Sequence, residues 1–133
     1  MEEKIKAKHL LIEMMREALE ASHRRLIVIS GENSEEVIAF LILKHSELKG
    51  NDEESVVYVA PDKDDLDFKI LLEELKETGF PPENVRYYTY AESDHLLGTT
   101  NDFLILDMKM GARPNDMGRL IETVRGGGLI ILH

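Results

Sequence analysis

Pro114-Asn115-Asp116-Met117-Gly118-Arg119-Leu120-Ile121-Glu122-Thr123-Val124-Arg125-Gly126-Gly127-Gly128-Leu129-Ile130-Ile131-Leu132-His133 is the stretch whose reading decides the fold. Met117, Leu120, Ile121 and Val124 stand at i, i+3, i+4 and i+7, the spacing of one helix face. Gly126 to Gly128 read as a turn, and Leu129 to Leu132 as a continuous apolar strand. Helix, turn and buried strand make the repeating unit of a parallel sheet, whose strands are covered on both faces and lose apolar–polar alternation. Wound sheets place their chemistry in loops beyond the carboxyl ends of such strands. Here the sequence stops with the strand, so the expectation is a fragment of a larger protein.

The same unit recurs upstream. Leu11, Met14, Met15, Ala18 and Leu19 mark an amphipathic helix from about Glu3 to Ala21. Arg25 opens Leu26-Ile27-Val28-Ile29, expected to be a central strand buried on both faces. After Ser30-Gly31, Asn33 and Glu36 are spaced as a capping box for a helix facing Val37, Ile38, Leu41, Ile42 and Leu48 inward, closed by Gly50-Asn51-Asp52. Val56 to Ala60 is a second strand, followed by a helix from about Asp64 to Thr78 with Phe68, Leu71, Leu72 and Leu75 on one stripe; Gly79 and Pro81-Pro82 stop it. The more polar Val85 to Tyr90 is expected at an edge, a single helical turn within Ala91 to Thr100, and Phe103 to Leu106 as a strand ending in Asp107. The predicted fold is α/β: one domain over residues 1–133, with a five-stranded, mainly parallel, doubly wound sheet in a Rossmann-like or helicase-like three-layer sandwich. The predicted order is 3-2-1-4-5, strands one and four flanking the switch point.

Composition narrows function. With 26 acidic and 16 basic residues the formal charge is −10, which repels polyanions at long range unless basic residues cluster. The absence of cysteine removes disulfides, thiolate metal sites and cysteine nucleophiles. No apolar run reaches membrane-spanning length and the first residues carry no signal-like segment, so the default address is cytoplasmic, without a membrane partner. Many Glu and Lys without Cys would suit a thermophile.

The turn after the first strand is where a wound fold binds phosphate, because backbone N–H groups and a helix dipole converge there. Ser30-Gly31-Glu32-Asn33-Ser34-Glu35-Glu36 matches neither G-x-x-x-x-G-K-[ST] nor G-x-G-x-x-G, and its glutamates stand where phosphate charge would go. Gly31 is therefore only a weak cofactor candidate. Asp107 sits like the metal-facing aspartate of a nucleotide-hydrolysing strand, but lacks the partnering loop, which makes it equally weak. No catalytic residue is expected. Arg24, Arg25, Arg113, Arg119 and Arg125 are the candidates for touching RNA or a neighbouring domain; exposed charges offsetting nearby glutamates are the plainer reading. Tyr87, Tyr88 and Tyr90 resemble a base-stacking platform, yet lie among acidic residues, so packing is the expected role, with Tyr88 and Tyr90 sharing one face. The five histidines show no metal-binding spacing, and Ser93-Asp94-His95 has triad residue types without triad context, so neither a metal site nor a triad is expected.

Three segments carry a resemblance: Arg24 to Gly31, Thr99 to Asp107, and Arg113 to Asp116 continuing through Thr123-Val124-Arg125-Gly126-Gly127-Gly128-Leu129-Ile130-Ile131. Together, and in this order, they resemble the N-terminal domain of the tRNA(Met) cytidine acetyltransferases, which form N4-acetylcytidine in RNA. The resemblance implies a helicase-like α/β unit without catalytic motifs, preceding an ATP-binding helicase module, an acetyl-CoA-dependent acetyltransferase module and an RNA-binding tail. It implies ATP, Mg and acetyl-CoA as cofactors of the parent and none for this fragment. The implied partners are the other modules of the same polypeptide and, through the parent, tRNA or another RNA. The competing expectation is a free-standing, degenerate P-loop-like nucleotide-binding domain using Gly31 and Asp107. A methyltransferase-like sheet comes last for want of a glycine-rich first loop.

Overall fold

The computed structural model describes residues 2–50, 54–111 and 113–133, the side chains of residues 2–5 and 7 excepted; the Asn51-Asp52 part of the expected turn lies outside the described residues. In chain order the elements are α1 (Glu2–Ala21), β1 (Arg25–Val28), α2 (Ser34–Lys49), β2 (Val56–Ala60), α3 (Leu66–Glu77), β3 (Val85–Thr89), β4 (Asn101–Leu106), α4 (Pro114–Ile121) and β5 (Val124–Leu132). Short 3-10 segments, Pro82–Asn84 and Tyr90–Leu96, flank β3. All five strands are parallel.

Two apolar layers sandwich the sheet. On one face, Met15 of α1, Ile38, Leu41 and Ile42 of α2, and Leu71 and Leu75 of α3 cover Val56, Tyr58, Phe103, Ile105, Leu129 and Ile131. On the other, Tyr90, Leu96 and Leu120 cover Val57, Val59, Leu104, Leu106 and Ile130. Each large side chain so buried stabilises the fold by about 1.5–3 kcal/mol.

The strand order is β1-β5-β4-β2-β3, which corrects the expected 3-2-1-4-5. β3 is at an edge as expected; β1 is not central but forms the opposite edge, paired among the described residues only with β5. The apolar run of β1 predicts a strand buried on both faces. In fact Ile27 and Ile29 pack toward α1 and α2, whereas Leu26 and Val28 are 48% and 68% exposed. β5, with Leu129 to Ile131 almost wholly buried, takes the slot between β1 and β4.

Two local expectations also change. The three glycines are not a turn, because β5 starts at Val124 and runs through them, with a register irregularity against Asn101–Phe103 of β4. Val124 accordingly belongs to the strand, and the helix ends at Ile121. The glycines are needed for close approach: a Cβ on Gly126 would lie 2.3 Å from the Ser22 carbonyl oxygen, and one on Gly128 2.6 Å from that of Asp102. The carboxyl end of α1 therefore rests directly on the β5 backbone. At α2, Asn33 adopts φ 61° and caps nothing with its side chain, since a capping residue needs extended backbone to reach the next N–H groups. The capping box forms instead between Thr89 and Glu92.

Candidate functional site

The carboxyl ends of β1, β4 and β5 border a cleft of about 550 Å³, whose walls include Val28, Gly31, Glu35, Asp107, Met117 and His133. The structure thus brings the two weak cofactor candidates, Gly31 and Asp107, to one crevice. Gly31 has φ 96°, a left-handed conformation that side chains rarely adopt, and open space around it.

Sequence reading missed what surrounds Asp107. Asp65, which precedes α3 and caps it by accepting from the Phe68 N–H at 3.1 Å, and Asp67 in its first turn converge on Asp107. Carboxylate oxygens of the three lie within 4.8 Å of one another. Lys109 answers them: its Nζ is 2.8 Å from Asp65 and 3.4 Å from both Asp67 and Asp107. Asp107 also accepts the Lys109 backbone N–H at 2.9 Å and the Tyr58 hydroxyl at 3.2 Å. A second group, Glu35, Asp67 and His133, lies beside it, His133 Nε2 being 3.4 Å from Glu35 and 3.9 Å from Asp67. The signal was present only as D-x-D at the start of α3 and D-x-K after β4; nothing in one sequence says that these two loops meet.

The electrostatics follow from burial. Burial pushes the Asp107 carboxyl above its ordinary range, reinforced by the Asp65 charge and opposed by the Lys109 N–H. Burial acts the same way on Asp65, but hydrogen bonds from Lys109 and the Phe68 N–H outweigh it and leave Asp65 below the usual range. The hydrogen bond to Asp65, with the surrounding carboxylates, raises the Lys109 ammonium well above its usual value. That ammonium is a fixed cation, neither a base nor a nucleophile at neutral pH. Desolvation raises the Tyr87 hydroxyl to about 12. A divalent cation among these carboxylates would have to compete with the Lys109 ammonium for the same oxygens.

Of the arginine candidates, the structure brings Arg113 and Arg119 together on Asp116 and sets the others apart from that pair. Arg24 donates to the Ile121 carbonyl at 2.9 Å and ties β1 to the end of α4. Arg113 pairs with Asp116 and lies over the Tyr90 ring, and Arg119 pairs with Asp94 and Asp116. Arg125 reaches Asp102 at 2.8 Å at the far end of the sheet, while Arg25 is on the β1 edge. Tyr88 and Tyr90 pack into the same apolar layer, Tyr87 stacks with Tyr58, and Ser93 and Asp94 engage Tyr90 and Arg119 rather than each other.

Comparison with known proteins decides the family. The family described as tRNA(Met) cytidine acetyltransferase TmcA, N-terminal, matches residues 1–133. The chain belongs to this family. It is 33% identical over 138 residues to the tRNA(Met) cytidine acetyltransferase TmcA of Thermococcus kodakarensis, covering 87% of this chain and 17% of that protein. With the Methanopyrus kandleri protein of the same name it is 35% identical over 133 residues, 91% of this chain and 16% of the relative. A shorter match, 49% over 49 residues, covers 37% of this chain and 5% of the RNA cytidine acetyltransferase of Dictyostelium discoideum. The chain therefore spans about a sixth of the length of the archaeal relatives. Among the described residues, no helix is long and apolar enough to cross a membrane.

Proposed function

We propose that this domain is a non-catalytic accessory unit of an ATP-dependent tRNA cytidine N4-acetyltransferase, bracing its helicase and acetyltransferase modules in the cytoplasm. On this reading ATP, Mg²⁺ and acetyl-CoA serve the parent enzyme and bind elsewhere in it, and RNA is engaged through the parent. The observation that carries the reading is Lys109. Its ammonium stands among Asp65, Asp67 and Asp107, where a nucleotide-hydrolysing relative would need a metal ion. Glu35 and Glu36 complement the α2 dipole from within, so the turn after β1 lacks the positive potential that would draw a phosphate.

The cleft itself favours the second reading, a degenerate nucleotide-binding domain, because Gly31 and Asp107 both line it. Calorimetric titration of the chain with Mg·ATP separates the two. The accessory reading expects no saturable heat up to millimolar ligand; micromolar binding abolished by Asp107→Asn would overturn it.

A further inference from the structure

We propose that the free edge of β1 and the apolar strip beside it receive a sixth parallel strand and its crossover helix, supplied by the polypeptide that follows this domain in the full-length acetyltransferase. The inference deepens the accessory reading, and rests on it only in taking the occupant from the same polypeptide.

The strip is a core that runs off the side of the molecule. Leu26 is in register with Ile130 and Val28 with Leu132, so these four side chains share the face that Leu96 and Leu120 cover farther in. Ile130 is 2% exposed, Leu26 48% and Val28 68%, so the cover ends between β5 and β1. The backbone is open there too. Ile29 donates to the Leu132 carbonyl at 2.9 Å, and alternation along the strand turns the Leu26 and Val28 N–H groups away from β5, to the side where, among the described residues, no strand pairs. Edge strands of self-sufficient domains are blunted by proline, bulges or outward lysines. Arg25-Leu26-Ile27-Val28 has none of these; its only blunting devices are its four-residue length and the charge of Arg25 at its start.

Handedness chooses the occupant. Connections running from β1 toward β3 carry α2 and α3 on one face, whereas those running back toward β1 carry the Tyr90–Leu96 segment and α4 on the other. That is the right-handed rule applied throughout. A connection continuing from β5 past β1 travels in the direction of α4, so its helix must lie on the α4 face, the face on which Leu26 and Val28 are uncovered. A second copy pairing edge to edge about a two-fold axis would satisfy the N–H groups but leave those two side chains bare. The archaeal relatives have ample chain for the task, since the match occupies only 16–17% of them and belongs at their amino-terminal end.

Hydrogen exchange on the full-length acetyltransferase, resolved to single amides, tests the proposal. The Leu26 and Val28 amides should exchange at least about 100-fold more slowly than amides of open loops, approaching the protection of Ile27 and Ile29. Val28→Lys should accelerate exchange at Leu26 at least about tenfold, because a covered site rejects the charge that an open edge tolerates. Loop-like exchange at Leu26 and Val28 while β5 stays protected would overturn the proposal. So would protection that rises with protein concentration alongside a dimer in sedimentation. Mg·ATP binding in the cleft would defeat the accessory reading and leave this edge result untouched, so the two failures are separable.

Discussion

At the amino ends of the central strands, Asp102 lies 2.7 Å from Lys49 and 2.8 Å from Arg125, and accepts the Ser55 N–H at 2.9 Å. Beside it the His45 ring spans Glu54 at 2.6 Å and the Gly127 carbonyl at 2.7 Å. At the carboxyl ends, three aspartates share a single lysine whose side chain is 40% exposed, at the rim of a cleft. One end distributes its charges over several elements and closes; the other gathers them around one half-exposed cation and stays open. The first arrangement belongs to the architecture, and the second is where a ligand-binding relative would do its work. Substitutions at the two ends should therefore differ in size and in their response to pH.

His45→Ala should be the most damaging, costing about 4 kcal/mol, because Glu54 would be left buried without its partner and a cavity would open. Both ring nitrogens of His45 face acceptors, which suits the doubly protonated ring. Burial opposes that charge, but the hydrogen bond and charge of Glu54, with the Gly127 carbonyl, outweigh it and raise the pKa above 6.5. A pKa raised on folding contributes stability that is complete below the unfolded value and lost as pH climbs through the folded one. Denaturant unfolding should thus show the intact chain losing stability above pH 6.5, a loss absent from the alanine variant. A pH-independent wild type would show that the His45 ring is not held protonated as described.

Gly126→Ala, at the same closed end, should cost about 2 kcal/mol, since the new methyl must push the end of α1 off β5. Thermal unfolding checks it, and a neutral result would mean that α1 is only loosely seated.

This substitution marks where the sequence was legible and where it was not. Apolar runs located the buried part of every strand, and apolar periodicity the helix faces of α2 and α3, because burial is written residue by residue: Leu71 and Leu75 repeat at helical spacing, and Val56 to Ala60 are all buried. Strand order is not written that way. Leu26-Ile27-Val28-Ile29 reads as central because the sequence records apolarity, not whether a cover is present in this stretch of chain. Gly126 to Gly128 read as a turn because local chemistry cannot announce that a distant helix, ending at Ala21, requires bare backbone there. The positions of Gly31 and Asp107 beside the cleft were legible because strand ends are visible; those of Asp65, Asp67 and Lys109 were not, since their meeting depends on how β2 and β4 pair.

At the open end, Lys109→Met should cost about 1–2 kcal/mol at pH 7, held down by the solvent screening of a half-exposed ammonium. The three carboxylates would then repel one another, and protonating them would relieve it. The gap to wild type should accordingly narrow as pH falls toward 4, followed by urea unfolding at each pH. A gap that widened on acidification would contradict the carboxylate cluster.

Asp107→Asn should have the smallest effect, from neutral to about 1 kcal/mol more stable at pH 7. The folded environment raises the Asp107 pKa, chiefly through burial, so its contribution to stability is complete below the unfolded value of 3.8 and is lost as pH rises through the folded value. Asparagine removes that loss and can still accept the Lys109 backbone N–H, while Tyr58 can reorient its hydroxyl. At pH 3 wild-type Asp107 is itself protonated, and the two chains should converge. A loss of more than about 2 kcal/mol at pH 7 would mean that the ionised aspartate is held as tightly as Asp102 at the closed end, and the contrast between the two ends would fail.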